Sequence, residues 1–314
     1  MVFTATLIAE SGLDDTLLSD VAYEFDTECT AGQLREVKWV DQDRAADLVF
    51  DPASYFTQAD CAPLADAMCD RALSIAKGGL GRDMDLDVIV QPTAYREKRV
   101  LVADMDSTMI TVECIDELAD YAGIKPEIAA ITEAAMRGEL DFEAALDARV
   151  ALLEGLDEGV VERCLAERVR IMPGARELVR TMRARGATCV LVSGGFTRFA
   201  EPVAAEIGFE RAIANVLEVE DGRLTGRVRR PIVGAAAKEE ALMAACAEAG
   251  AATADALAVG DGANDLPMIR AAGLGVAYRA KPVVAAVAGA RIEHGDLSAL
   301  LYAQGLPRRE WAAA

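Results

Sequence analysis

The chain of 314 residues carries 32 Lys and Arg against 52 Asp and Glu, a formal net charge of -20, and 53% of its residues are hydrophobic. This composition supplies enough apolar side chains for a full core, and at ~100–200 residues per domain the length predicts about two domains. A surface this negative repels polyanions, which excludes nucleic acid as an expected partner, and an anionic substrate would need a local positive charge or a metal ion.

The start of the chain and its cysteines indicate the compartment. Residues 1–15 have no basic lead and turn acidic early, which predicts that no signal peptide is present. Charged residues interrupt every apolar run before the ~18 residues that a membrane-spanning helix needs. The seven cysteines form no Cys-x-x-Cys pair, so reduced thiols are expected rather than disulfides or a zinc cluster. We therefore expect a cytoplasmic protein with no membrane partner.

The N-terminal third predicts an α+β unit. Apolar patterns indicate, in order, a strand, a helix, two strands, a helix and a strand, at residues 3–9, 17–25, 35–40, 46–50, 61–76 and 86–92. That order is the split βαβ pattern of ferredoxin-like folds. The glycine-rich cluster Lys77–Gly81 predicts that the second helix ends there. We assign residues 1–95 to a ferredoxin-like domain and residues 96–314 to a second domain.

Three short apolar runs organise the second domain. Residues 100–103, 188–192 and 256–259 are continuously apolar, as strands buried on both faces of a parallel sheet are, and helical patterns separate them. Each run leads directly into polar residues that include, respectively, Asp104, Ser193 and Asp261. Because the carboxyl ends of parallel strands share one edge of a sheet, these side chains are expected to meet. The expected fold class is α/β with a Rossmann-like parallel sheet.

A long insert and a hairpin interrupt this pattern. Helical patterns fill about residues 110–172, which is too long for a simple crossover and predicts a helical cap over the strand ends. Gly123, Gly138 and Gly155 are expected to end three of these helices. The Asp221-Gly222 pair between alternating segments predicts a β-hairpin.

Asp104 and Asp106 follow the first buried strand. A carboxylate at such a point can attack phosphorus and form an aspartyl-phosphate, while a second carboxyl group protonates the leaving oxygen and later activates water. The same residues could serve as ordinary turn or cap aspartates. By itself the pair is compatible with phosphoryl transfer and with a plain turn.

The run from Gly260 to Asp265 adds a second group of carboxylates. Its glycines and Asn264 also suit an Asx-rich turn that opens a helix. Two carboxylate groups on separate buried strands would repel each other without a cation, however, and Mg²⁺ prefers oxygen ligands. We expect Asp261 to bind Mg²⁺ and Asp265 to support the site.

Ser193 and Lys238 are candidates for contacts with phosphate. The Ser193–Gly195 turn offers a hydroxyl group and unhindered N–H groups, although a plain strand-to-helix turn can have the same sequence. Lys238, at the start of a helical pattern, could be a surface lysine or a cation that neutralises the phosphoryl group during transfer.

The motifs occur in the order Asp-x-Asp-Ser-Thr, Ser-Gly-Gly, Lys, Gly-Asp-Gly-Ala-Asn-Asp. This set resembles the haloacid dehalogenase superfamily of phosphatases over about residues 98–300. Several longer segments are similar to the bacterial phosphoserine phosphatase family, namely residues 104–119, 136–150, 172–175, 193–204 and 260–278.

That resemblance implies a catalytic role for each matching aspartate. Asp104 would be the nucleophile and Asp106 the general acid and base. The side chains of Asp104 and Asp261 and the carbonyl group of Asp106 would bind Mg²⁺, with Asp265 in support.

The resemblance also implies which residues bind substrate. Phosphate would be held by Ser193, Gly194, Lys238 and Asn264. In the cap, Glu113 would bind the ammonium group of phosphoserine and Arg149 its carboxylate, a group that the planar guanidinium suits. Phe142 would cover the site.

The implied activity is that of a phosphoric monoester hydrolase, which converts the small molecule O-phosphoserine into serine and phosphate in serine biosynthesis. Three alternatives stay open: a phosphotransferase that uses an acceptor such as homoserine, a phosphatase of another small phosphomonoester, and a catalytically silent serine-binding protein. Residues 1–95 resemble ACT-type amino-acid-binding modules, and whether the chain forms a homodimer is left open.

Overall fold

A computed structural model describes residues 1–136 and 139–313. The elements of its N-terminal unit follow the predicted order: β1 (Phe3–Ile8), α1 (Asp15–Glu28), β2 (Gly32–Asp41), β3 (Ala45–Pro52), α2 (Cys61–Leu80) and β4 (Asp87–Pro92). The strands form an antiparallel sheet in the order β2-β3-β1-β4, which is the ferredoxin-like topology. Phe3, Phe25 and Phe50 pack in the core between this sheet and its helices.

The helix α2 ends within the predicted glycine-rich cluster. It continues beyond the apolar pattern of residues 61–76, through Gly78 and Gly79 to Leu80, and it ends where Gly81 adopts a left-handed conformation with φ 65°. Glycine lowers helix propensity without forbidding a helix, and the buried apolar side of α2 packs on the sheet over its preceding turns.

The second unit contains the remaining elements. These are β5 (Val100–Ala103), α3 (Cys114–Ala122), α4 (Lys125–Met136), α5 (Phe142–Ala151), α6 (Gly159–Arg168), α7 (Ala175–Ala184), β6 (Thr188–Phe196), α8 (Thr197–Ile207), β7 (Arg211–Asn215), β8 (Leu217–Glu220), β9 (Arg223–Val228), α9 (Ala235–Glu248), β10 (Ala256–Gly260), α10 (Leu266–Ala271), β11 (Leu274–Tyr278), α11 (Pro282–Ala285), β12 (Ala290–Ile292) and α12 (Ala299–Ala303).

Six of these strands form a parallel sheet in the order β12-β11-β10-β5-β6-β7. The three predicted strands, β5, β6 and β10, lie side by side in the middle of this sheet, and their residues are almost entirely buried. Ala103 pairs with Val259 on one side and with Leu191 on the other, so the three carboxyl ends meet at one edge. The predicted α/β fold class is confirmed, and β7, β11 and β12 are additions to it.

The helices α3 to α6 occupy the insert between β5 and α7. A bridge between Ile110 and Ile171 closes its base, and Gly123 ends α3 with φ 71°. The helix α5 ends at Ala151, so Gly155, with φ 80°, ends the following turn rather than the helix itself. The predicted helix end at Gly138 lies outside the described residues.

The predicted hairpin is formed by β8 and β9. Asp221 and Gly222 connect the strands with φ values of 49° and 76°, as a tight hairpin turn requires. A bridge between Asp157 and Arg223 joins the hairpin to the helical insert, a contact that local patterns did not predict.

The two units share buried contacts. Arg96 donates to both carboxylate oxygens of Asp47, at 2.6 and 3.0 Å, and Gln91 donates to the carbonyl group of Ala303 at 2.8 Å. Ile8 and Ile89 of the N-terminal unit belong to the same apolar core as the large sheet. The division near residue 95 stays a prediction. Across the described residues, none of the helices is both long and apolar enough to cross a membrane.

Candidate active site

Asp104 and Asp106 stand where the chain leaves β5. The amide of Asp104 still donates to the carbonyl group of Val259 in β10, at 3.0 Å, but the next residues turn sharply. Three successive amides, those of residues 108–110, converge on the carbonyl group of Met105, and Ser107 has φ 55°. This turn brings both aspartates to the wall of one cavity at the carboxyl edge of the sheet.

Lys238 joins Asp104 to Asp265 below the cavity. Its Nζ lies 2.6 Å from an oxygen of each carboxylate, and Lys238 and Asp265 are both fully buried. Burial lowers the pKa of Lys238, but the two carboxylates outweigh it and raise that pKa above its ordinary value. Burial also raises the pKa of Asp104, and Lys238 opposes that rise. The interpretation of Lys238 as a surface lysine is therefore wrong.

An acidic cluster lies at the base of the cavity. Oxygen atoms of Asp104, Asp261 and Asp265 lie within 4.8 Å of one another, close enough to hold a metal ion. Asp265 is already engaged, since one oxygen accepts from Lys238 and the other from the amide of Gly262 at 2.9 Å. Burial is the main cause that raises the pKa of Asp261 to about 6. A hard cation fits this donor set, with Asp104 and Asp261 as ligands and Asp265 in a supporting position.

Asp106 differs from its neighbours in its surroundings. One of its oxygens accepts from the amide of Cys114 at 3.3 Å. Burial, followed by the nearby charge of Glu113, raises the pKa of Asp106 to about 7. A carboxyl group with this pKa can both give and take a proton near neutral pH, as a general acid and base must.

The turn after β6 forms another side of the cavity. Ser193 is buried, and its Oγ accepts from the amide of Gly195 at 2.8 Å. Asn215 holds this turn, since its side chain donates to the carbonyl group of Gly194 at 2.9 Å and accepts from the amide of Val233 at 2.8 Å. Asn215 was not among the predicted site residues, because β7, whose carboxyl end it occupies, was not predicted.

The cap supplies the opposite wall. Glu113, Phe142 and Arg149 line the same cavity of about 520 Å³ as the aspartates. A Cβ atom at Gly194 would stand 3.1 Å from the ring of Phe142, so that ring lies directly over the turn of residues 193–195. Glu113 accepts a hydrogen bond of 2.7 Å from the Ser107 hydroxyl group.

The structure therefore brings together every residue that the sequence analysis singled out for the site. Nine of them line the cavity: Asp104, Asp106, Glu113, Phe142, Arg149, Ser193, Gly194, Asp261 and Asn264. Lys238 and Asp265 lie directly beneath it, and Lys238 is bonded both to Asp104 and to Asp265. Their roles in catalysis stay predictions.

Two further residues reach this site without having been predicted. Thr108 is fully buried and donates to Asp261 at 3.3 Å, and Lys281 lines the cavity. Thr108 belongs to the Asp-x-Asp-Ser-Thr motif, so its hydroxyl group could have been included. Lys281 follows β11, and the rule that ligands bind at the carboxyl ends of strands would have found it had that strand been predicted.

Comparison with known proteins gives consistent matches. The model of the haloacid dehalogenase-like hydrolase family matches residues 101–270. A curated phosphoserine phosphatase from Streptomyces coelicolor is 47% identical over 243 residues, which cover 77% of this chain and 58% of that protein. This chain thus spans less than two thirds of the length of that relative.

Solved structures extend the similarity to the N-terminal unit. A probable phosphoserine phosphatase from Vibrio cholerae superposes with a TM-score of 0.72 at 31% identity, covering 96% of this chain and 87% of the other. A phospho-aspartyl intermediate analogue of phosphoserine phosphatase superposes with a TM-score of 0.61 at 39% identity, covering 66% of this chain and 98% of the other.

Proposed function

This chain belongs to the haloacid dehalogenase-like hydrolases and, within them, to the phosphoserine phosphatase family, and from that membership we propose that it hydrolyses O-phosphoserine to serine and phosphate. The observation that carries the proposal is the shared cavity, in which the buried aspartates face a cap glutamate and a cap arginine. Such a cavity offers a partner for each charged group of the substrate.

In the first step, a carboxylate oxygen of Asp104 attacks phosphorus and the bond between phosphorus and the serine oxygen breaks. Lys238 binds Oδ1 of Asp104, and we assign the attack to Oδ2. Asp106 gives its proton to the departing serine oxygen, and a pKa of about 7 suits it to that task. The products of this step are serine and an aspartyl-phosphate on Asp104.

In the second step, Asp106 takes a proton from water, and the resulting hydroxide attacks the phosphorus of the aspartyl-phosphate. The bond to Asp104 breaks, inorganic phosphate leaves, and both aspartates return to their starting states. Ser193, the amide of Gly194 and Asn264 would hold the phosphate oxygens, and Lys238 would compensate their charge.

We propose Mg²⁺ as the metal, held by the side chains of Asp104 and Asp261 and by the carbonyl group of Asp106. When bound, it would screen the carboxylates from the anionic phosphate. The acidic cluster supports this assignment, because carboxylates this close need a positive charge in addition to Lys238.

The cap residues support the choice of substrate. The carboxylate of Glu113 suits the substrate ammonium group, and the guanidinium of Arg149 suits its carboxylate. A sugar phosphate has neither group, so both charges would stay without partners in the complex.

The proposal is tested by a phosphatase screen of amino-acid, sugar and aryl phosphates, with Mg²⁺ and with a chelator. We expect O-phosphoserine to be the best substrate and the chelator to abolish its hydrolysis. Arg149→Ala should raise KM for O-phosphoserine about 100-fold, because a charge-assisted pair is lost, and should change the hydrolysis of an aryl phosphate less than about 3-fold.

Arg163→Ala is the matched control, since Arg163 lies on α6 of the same cap and pairs with Asp157. Arg163→Ala should change neither KM for O-phosphoserine nor the hydrolysis of the aryl phosphate. If Arg149→Ala impaired the hydrolysis of O-phosphoserine and of the aryl phosphate equally, the role of Arg149 in substrate recognition would be refuted. If a sugar phosphate were the best substrate, the proposed function would be refuted.

Glu113→Gln should move the alkaline limb of the pH profile to lower pH. Activity falls as pH rises through the pKa of Asp106, because the acid that protonates the leaving group is lost. The negative charge of Glu113 raises that pKa, so its removal lowers the pKa and the limb shifts by about 0.5–1 pH unit.

The measurement is kcat/KM against pH for an alkyl phosphate without an ammonium group, so that lost substrate binding does not interfere. Glu117→Gln removes the same charge from the start of α3, where Glu117 pairs with Arg168, and should leave the profile unchanged. A limb that stays in place, or moves to higher pH, would contradict the link between Glu113 and Asp106.

We extend the proposal to the rest of the protein. It comprises a domain of residues 1–95, a phosphatase domain of residues 96–314 with its cap at about residues 110–172, and a cytoplasmic location with no nucleic-acid partner. The net charge of -20 supports the last point.

A further inference from the structure

The cavity has to attract an anion into an acidic protein. Four carboxylates line it, those of Asp104, Asp106, Glu113 and Asp261, within a chain whose net charge is -20. Among the described lining residues, the cations are Arg149 and Lys281. Lys238 lies below, with its ammonium group already between two carboxylates, so it adds little attraction at the entrance.

Lys281 is placed at the rim of this cavity. Its backbone amide donates to the carbonyl group of Asp261 at 3.2 Å, which attaches the segment after β11 to the acidic cluster. Its side chain is exposed, and its charge acts on the carboxylate of Asp261. An exposed ammonium group in this place meets an incoming anion before the buried residues do.

The position of Lys281 depends on Arg279, two residues earlier. Arg279 has φ 44°, a left-handed conformation that is unfavourable for a residue with a side chain. Its guanidinium donates to the carbonyl groups of His294 and Gly295, at 3.1 and 3.2 Å, and lies over the ring of Tyr278. These contacts hold the turn that aims the chain from β11 toward the cavity.

The N-terminal unit stabilises the other side of this connection. The carboxylate of Asp87, at the start of β4, accepts from the amides of Glu293, His294 and Gly295, at 2.8, 3.3 and 2.7 Å. The loop carbonyls that Arg279 binds are therefore themselves held. A continuous set of contacts runs from the N-terminal sheet to the rim of the cavity.

We propose that Lys281 is the cation that captures the phosphate group of the incoming substrate at the cavity rim, and that Arg279 is the residue that positions it. The proposal rests on the proposed phosphatase function. It also gives the N-terminal unit a part in the site, through the loop of residues 293–295.

The test compares the wild-type protein with Lys281→Ala, Lys281→Arg and Lys77→Ala. Lys77 is exposed on α2 of the N-terminal unit, so Lys77→Ala makes the same change in net charge away from the site. The affinity of each Mg²⁺-loaded protein for inorganic phosphate is measured by calorimetry at low and high salt, together with kcat and kcat/KM for O-phosphoserine.

Lys281→Ala should weaken phosphate binding and lower kcat/KM, each about 3- to 10-fold at low salt, and the loss should shrink below about 2-fold at ~0.5 M salt, where exposed charges are screened. The value of kcat should stay within about 2-fold, because capture precedes the chemical steps. Lys281→Arg should bind inorganic phosphate with nearly the wild-type affinity, and Lys77→Ala should have the wild-type phosphate affinity and kcat/KM.

The proposal would be overturned if Lys281→Ala bound inorganic phosphate with the affinity and the salt dependence of the wild-type protein. It would also be overturned if Lys77→Ala lost as much phosphate affinity as Lys281→Ala. The wild-type protein could bind phosphate in a way that depends on Lys281 and yet fail to hydrolyse O-phosphoserine. That result would refute the proposed function and support the capture site.

A double-mutant cycle tests the positioning residue. Arg279→Ala should show the same loss of phosphate affinity and the same salt dependence as Lys281→Ala, and the double variant should be no weaker than Lys281→Ala alone, since both changes remove one interaction. Additive losses, or a loss in Arg279→Ala that salt does not diminish, would refute the role of Arg279.

Discussion

Asp104→Asn should reduce phosphate release from O-phosphoserine by at least about 1,000-fold, because an amide cannot form the aspartyl-phosphate that we propose as the intermediate. The substitution keeps the shape of the side chain, and Lys238 keeps its bond to Asp265. The protein should therefore remain folded. Phosphate release with saturating Mg²⁺ and thermal unfolding are the two measurements.

Asp106→Asn is the informative companion to this variant, since it keeps the nucleophile and removes the acid and base. An aryl phosphate has a good leaving group and needs little protonation, so Asp106→Asn should still form a phosphoprotein that hydroxylamine cleaves, while turnover stops. Asp104→Asn should form none. Equal phosphate release by Asp104→Asn and the wild type would end the covalent mechanism.

Lys238→Met should lower the free energy of unfolding by about 3–5 kcal/mol without Mg²⁺, because it leaves two buried carboxylates without their shared cation. The activity should be lost as well. Urea denaturation at neutral pH measures the change, and part of the loss should be recovered when Mg²⁺ is added, since a bound cation replaces some of the missing charge.

The pH dependence of this loss has a definite sign. Lys238 lowers the pKa of Asp104 against the effect of burial, so its removal raises that pKa further. A carboxyl group with a raised pKa in the folded state is stabilised by protonation, relative to the unfolded chain, as pH falls. The deficit of Lys238→Met should therefore be largest at neutral pH and should shrink toward acidic pH.

Lys98→Met is the matched control. Lys98 is also buried, but its Nζ donates to the carbonyl group of Ala254, and burial lowers its pKa to about 8 despite the charge of Asp255. Burial disfavours the charged form here, so the substitution should change the free energy of unfolding by less than about 1 kcal/mol and leave activity intact. Similar destabilisation in the two variants would contradict the special role of the Lys238 ion pairs.

Local features of the chain were sufficient to predict the central strands and the aspartates at their carboxyl ends. In this chain, three continuous apolar runs of four or five residues, each followed by polar residues, indicated three buried parallel strands and their carboxyl ends. Asp104, Ser193 and Asp261 could be placed on one edge for this reason. The Asp221-Gly222 hairpin was equally local, because its φ values are a property of those two residues.

Features that depend on distant parts of the chain could not be predicted. The burial of Lys238 follows from the packing of α9 under β5, and only that packing makes a lysine the shared partner of two aspartates 134 and 27 residues away. Asn215 lies at the end of β7 and Lys281 follows β11, and the apolar runs of these strands are interrupted by Arg211 and by Gly275, respectively. The contacts of Asp87 with residues 293–295 join parts of the chain more than 200 residues apart.

The difference has one physical origin. Secondary structure and turn geometry depend on backbone preferences and apolar spacing within a few residues, and these can be read along the chain. The pKa of Asp106, the charge of the buried lysine and the direction of Arg279 depend on desolvation and on which charges approach in space. These three properties are therefore determined only when the sheet, the cap and the N-terminal unit are packed together.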